Sequence, residues 1–225
     1  MLSRHLLATG IAFIGLGLQS HLALAEQVQY DIIYNGKKVG TQLASMETLA
    51  DGQNSYSEKT TAKFKQFFMT FNLSSEITVS FDDKGINEFS SSETFDGEKG
   101  SISGRRFGSK FEIVAQEEEE PPQTFVISAD QFELSEITPP LLQYKLFSQK
   151  QVGDELSYLD FDSGSIQGIK LTALDKQADH LSVSFRYIGD KEFVKENEDE
   201  VSITINAQGK VLAFSEDDVQ LKLIN

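Results

Sequence analysis

The chain has 225 residues, with 35 acidic and 20 basic side chains and a formal net charge of −15. Plain repulsion disfavours nucleic acid and anionic membrane as partners of such a surface and favours cations or a basic protein. No cysteine is present, which excludes disulfides, thiol catalysis, thiolate metal sites and lipid attachment at a cysteine.

The N-terminus has the form of a processing signal. Arg4 and His5 precede an apolar run from Leu6 to Leu18, and Ala23-Leu24-Ala25 follows as an A-x-A site. The expectation is a signal peptide over 1–25, cleaved after Ala25, and a periplasmic mature chain over 26–225 forming one domain. The apolar run is too short to span a bilayer, which takes about 20 residues, so an integral membrane protein is not expected. Two of the three histidines, His5 and His21, belong to the signal. His180 remains, and one histidine per chain cannot build a multi-histidine metal site.

From Gln27 to Tyr34 the sequence alternates, with Val28, Tyr30, Ile32 and Tyr34 on one face. Asn35-Gly36 predicts a type I′ hairpin, because both central residues of that turn need positive φ. Lys38 to Leu49 returns as a second strand, and Asp51 to Asn54 is the next turn. Ser55 to Gln66 predicts a third strand, with Tyr56, Ala62 and Phe64 on one face and Lys59, Lys63 and Lys65 on the other. A turn is expected near Gln66 to Phe68. The stretch Ala62 to Phe81 then carries five of the 17 phenylalanines. From Phe67 to Phe81 every second residue is apolar except Ser75, the period of a strand with one covered face.

Glycine turns at Asp82 to Gly85, Asp96 to Gly100, Phe107 to Lys110 and Asn206 to Gly209 separate further short strands. Glu117 to Glu120 with Pro121-Pro122 is a charged, stiff break. Thr138-Pro139-Pro140 predicts a helix start with Thr138 as N-cap, and Leu141 to Ser148 a short helix with Leu142 and Leu146 at i and i+4. Strands are expected again at Leu156 to Phe161, Ile169 to Leu174, Leu181 to Ile188, Val201 to Ile205, Val211 to Phe214 and Val219 to Leu223. About a dozen short strands and one helix predict an all-β fold: a curved antiparallel sheet forming an open or half barrel.

No residue set identifies a reaction. The nucleophile-elbow, S-x-x-K, H-E-x-x-H and P-loop patterns are absent. Asp160-Phe161-Asp162-Ser163-Gly164 has the look of a calcium-loop fragment but lacks the further acidic positions and the closing glutamate, so a turn accounts for it. No catalytic residue, metal or cofactor is expected, and His180 reads as a strand-edge residue.

Several motifs, in order, carry a resemblance. The run Tyr30-Asp31-Ile32-Ile33-Tyr34-Asn35-Gly36-Lys37-Lys38-Val39-Gly40 is the first. The Asp82-Asp83-Lys84-Gly85 hairpin, Pro139-Pro140-Leu141-Leu142, Gln151-Val152-Gly153-Asp154 and Asn206-Ala207-Gln208-Gly209-Lys210-Val211 follow. Together they resemble a group of secreted bacterial β-rich proteins known mainly as domains of unknown function. The resemblance implies a half-barrel similar to that of the periplasmic lipoprotein carriers, which cradle acyl chains in a concavity under a short helix. It implies no catalytic residue.

Two functional readings stand side by side. In one, part of the phenylalanine face lines a cavity, and Phe67, Met69, Phe71 and Leu73 bind an apolar, lipid-like ligand beneath the Thr138 to Ser148 segment. In the other, that face is filled core, and the protein is a structural or accessory protein that acts on a partner, such as a basic protein, through a patch or sheet edge.

Overall fold

The computed structural model describes residues 26–49, 52–66, 69–118, 120–135, 137–160, 165–189, 194 and 200–224. The expected signal peptide lies outside them, as do Phe67 and the 161–164 part of the calcium-like run. Eight strands follow one another as a meander: β1 (Glu26–Tyr34), β2 (Lys37–Thr48), β3 (Asn54–Gln66), β4 (Met69–Asp82), β5 (Gly85–Phe95), β6 (Glu98–Phe107), β7 (Lys110–Glu117) and β8 (Gln123–Ser128). The two-residue β9 (Leu134–Ser135) and helix α1 (Pro140–Phe147) come next. A second meander completes the chain: β10 (Glu155–Asp160), β11 (Ser165–Lys176), β12 (His180–Ile188), β13 (Glu200–Asn206), β14 (Val211–Glu216) and β15 (Val219–Leu223).

First and last strands pair, with Tyr30 opposite Leu223 and Tyr34 opposite Val219. Among the described residues the result is one sheet of 15 strands, running from β8 back to β1, then from β15 back to β9. It has more strands than the dozen expected, and one pairing departs from the antiparallel pattern: β9 lies parallel to β10. The connection from β8 to β9 is short, and Glu133 on it donates its backbone N–H to Ser157 on β10. The two edges of the sheet therefore come near each other without pairing, which is the open barrel expected from the strand pattern.

Local chemistry explains the meander. Asn35 and Gly36 have φ of 50° and 72°, the positive values that a type I′ turn requires. In β4 the alternation holds: Phe71, Leu73, Ser75, Ile77, Val79 and Phe81 turn to the concave face, while Asn72, Ser74, Glu76 and Thr78 are exposed. On the convex face, hydroxyl pairs such as Ser45–Ser57 at 2.7 Å and Ser184–Ser202 at 2.8 Å bridge adjacent strands.

The concave side holds two apolar clusters. One joins Leu156, Ile169, Leu171, Leu181, Val183, Ile203 and Ile205 on β10–β13 to Phe147 of the helix. The other joins Val79, Phe81, Ile86, Phe89, Phe111 and Ile113 on β4–β7 to Leu159 of β10, so the curved sheet closes on itself through side chains. Helix α1 lies between the clusters. Leu141 and Leu142 pack on the second, whereas Tyr144, Leu146 and Phe147 pack on the first. The expected pairing of Leu142 with Leu146 on one stripe is thereby corrected: a helix covered on two flanks is apolar on both. Thr138 is also not the N-cap. Pro139 holds that position, and the Thr138 hydroxyl instead accepts the Ser135 N–H at 2.8 Å, turned back into the chain before the helix.

Gly209, at the β13–β14 turn, is where the helix touches the second meander. Its φ is +79°, and an added Cβ would lie 2.7 Å from Leu141 Cβ and 2.8 Å from Leu141 N. Gly209→Ala is expected to cost ~2–4 kcal/mol, from the left-handed backbone and the overpacked contact together. That corresponds to a Tm lower by roughly 5–15 °C in a thermal melt.

Candidate functional site: a cavity under the helix segment

Strands β1–β4 and β13–β15 and the segment from Ile137 to Gln143 line a half-open cavity of about 560 Å³. That size lies within the range of small-molecule sites, ~300–1,000 Å³. Its walls are mainly apolar: Val28, Ile32 and Tyr34 from β1, Ala44 and Met46 from β2, Ala62 and Phe64 from β3, Leu73 and Ile77 from β4, and Phe214, Val219 and Leu221 from the C-terminal strands.

Strand register orders this surface into rows. Nearest the helix segment, Met46 faces Tyr56, which faces Val79, and all three belong to or pack on the cluster that contains Ile137. The next row is Val28, Ala44, Glu58 and Ile77, and the one after it Tyr30, Gln42, Thr60 and Ser75. Further out lie Ile32, Gly40, Ala62 and Leu73, then Phe64 beside Phe71. Polar groups thus form a band between the buried core and an aromatic rim.

The rim is a ladder of rings. Tyr34 meets Phe64 at 5.6 Å between centroids, Phe64 stacks on Phe71 at 5.5 Å, and Phe71 stacks on Phe95 at 5.6 Å. Gly40 lets β2 lie close against β3, since a Cβ there would lie 2.1 Å from the Thr61 carbonyl oxygen. Phe95 is 38% exposed, so the ladder leads from the cavity wall out to solvent.

Within the polar band the Tyr56 hydroxyl donates to Glu58 Oε2 at 2.8 Å and the Thr60 hydroxyl to Glu58 Oε1 at 3.4 Å. Burial raises the Tyr56 phenol well above its usual 10.0, and the Glu58 carboxylate adds to the shift. The folded state therefore holds this proton more tightly than the unfolded state. The stabilisation is complete below pH 10 and is lost as the pH rises beyond it. In an absorbance titration of the six tyrosines, Tyr56→Phe is expected to remove a late component that coincides with alkaline unfolding.

Of the four residues expected to bind ligand, Leu73 lines the cavity. Phe71 sits beside it in the ring ladder, and Met69 opens β4 opposite Gln66, at the far end of the rows. Phe67 lies outside the described residues. The cavity lining also takes in Tyr30, Gln42, Tyr56, Glu58 and Thr60, which were not among the four. For three of them the signal was in the parity of β3: Tyr56, Glu58, Thr60, Ala62 and Phe64 share one face, and polar side chains on an otherwise apolar face mark a surface that is not all core.

Other candidates fall elsewhere. His180 opens β12 and pairs through Nδ1 with Asp179 at 2.8 Å, which holds the exposed Asp179 carboxyl below its usual value. Asp160 is buried at the end of β10. Among the described residues no three His, Asp or Glu side chains are grouped to hold a metal ion, and no helix is long and apolar enough to cross a membrane.

The fold and its cavity place the molecule among barrel-like β proteins. The crystal structure of a beta-barrel-like protein of the domain of unknown function DUF1849 from Brucella abortus superposes with a TM-score of 0.60 over 89% of this chain and 96% of that one. At 10% sequence identity the likeness is one of fold. The chain itself belongs to the family Domain of unknown function (DUF6134), whose model matches residues 30–216. No curated protein matches it.

Proposed function

We propose that this is a periplasmic, non-enzymatic binding or carrier protein for an apolar, lipid-like ligand. The observation that carries the reading is the cavity of about 560 Å³ on the concave face, with apolar walls and the helix segment across one end. A sheet built only for stability would fill that space, because an unfilled apolar cavity forfeits packing contacts. The ring ladder from Tyr34 to Phe95 supports the same reading by extending the apolar wall outward.

The test is native mass spectrometry of the protein purified from a bacterial periplasm, with lipid extraction of the same sample. A co-purifying apolar molecule near one per chain, on a polypeptide beginning at Glu26, is the expected result. A ligand-free mass that stays unchanged after exposure to fatty acid and phospholipid would overturn it. A second reading, an accessory protein acting through a partner, rests on the unpaired outer edge of β8, where Val126 is 55% exposed.

A further inference from the structure

Among the described residues only two charged side chains line the cavity, Glu58 and Lys210. Both are half-buried. Among the described residues Glu58 has no cationic partner and Lys210 no anionic one, although acids outnumber bases 35 to 20 in the chain. The protein gives Glu58 two neutral donors, the hydroxyls of Tyr56 and Thr60, and no neutralising charge. Lys210 opens onto the cavity just before β14, beside Gly209 and the start of the helix.

Holding a charge beside apolar walls is costly unless it finds a counter-charge. Here the two charges line the same cavity from different parts of the chain. Glu58 stands on β3 and Lys210 at the head of β14, four strand steps apart through β2, β1 and β15. At ~4.8 Å per step that is about 19 Å along the curved sheet. Both residues line one cavity, so a single bound group that carries both signs would offer each a counter-charge.

We infer that the cavity selects a zwitterionic amphiphile. Its ammonium faces Glu58, its phosphate or carboxylate faces Lys210, and its hydrocarbon lies along the Phe64–Phe71 rim. This deepens the carrier reading and rests on it. A purely anionic amphiphile would satisfy Lys210 and be repelled by Glu58. An uncharged one would leave both charges without partners.

The test uses the mature protein exposed to vesicles containing phosphatidylethanolamine, phosphatidylglycerol or diacylglycerol with identical acyl chains, with bound lipid counted by native mass spectrometry. Wild type is expected to take up phosphatidylethanolamine about tenfold or more over each of the others, the scale of one charge-assisted contact. Glu58→Gln should abolish its advantage over phosphatidylglycerol. Lys210→Gln should abolish its advantage over diacylglycerol, and Lys210→Arg should keep it. Melting curves identify any variant that fails to fold; for such a variant Glu58→Met or Lys210→Met, which also remove the charge, takes its place. Equal uptake of the three lipids by wild type, or unchanged preferences in the folded variants, would overturn the zwitterion inference and leave the carrier reading standing. Uptake of none by wild type would overturn both.

Discussion

Phe81→Ala is expected to lower stability by ~3–5 kcal/mol, a drop in Tm of roughly 6–20 °C. Phe81 is 0% exposed and sits in the cluster that joins β4–β7 to Leu159 of β10. Removing its ring opens a void where the sheet closes on itself, and close-packed neighbours relax into such a void only in part. Phe71→Ala, on the same face of the same strand, is expected to cost less than about half as much. Phe71 is half-buried and leans on Phe64 and Phe95 at the rim. Urea denaturation of both variants measures the difference. Equal losses would mean that the phenylalanine face is one continuous core, and would remove the ground for a ligand there.

Leu73→Asp is expected to abolish retention of an apolar ligand while leaving the fold intact. Leu73 lines the cavity opposite Ala62 and is half-buried rather than sealed in either cluster. A carboxylate there is hydrated when the cavity is empty, so its effect on Tm should stay within a few degrees. Against a hydrocarbon chain it is desolvated without a partner. Such a penalty is several kcal/mol, enough to reduce uptake by ~100-fold or more. Native mass spectrometry of the variant beside wild type reads the loss. Retention at wild-type levels would place the ligand elsewhere or remove it from the account.

The Glu58 and Lys210 pair is the point on which stability and function would part. Neither charge has a salt-bridge partner among the described residues, whereas exposed pairs such as Lys145–Asp83, at 2.8 Å, are formed at the surface. A surface pair of this kind contributes little and is screened by salt. A lone charge against an apolar wall is a cost that folding alone does not explain.

Much of this molecule is decided locally and is legible in the chain. Period-two alternation in β1, β3, β4 and β12 names the inward residues, since side chains on a strand can only point to one face or the other. Asn35-Gly36 sets its turn because positive φ is cheap for those residues. The zero cysteine count leaves stability to burial and sheet hydrogen bonds. Other features depend on what the rest of the chain brings alongside. Leu142 and Leu146 have the same spacing on paper as any helical pair, but two separate clusters claim them. Thr138 has the right chemistry for an N-cap and spends its hydroxyl on Ser135 instead. Phe71 and Phe81 are equivalent in sequence. Only the curl of the sheet, which carries Leu159 over one and leaves the other at the rim, makes the first a wall and the second a core. The cavity belongs to that second kind of information. Its lining comes from strands at both ends of the chain, joined because β1 pairs with β15, and no local pattern encodes the space between them.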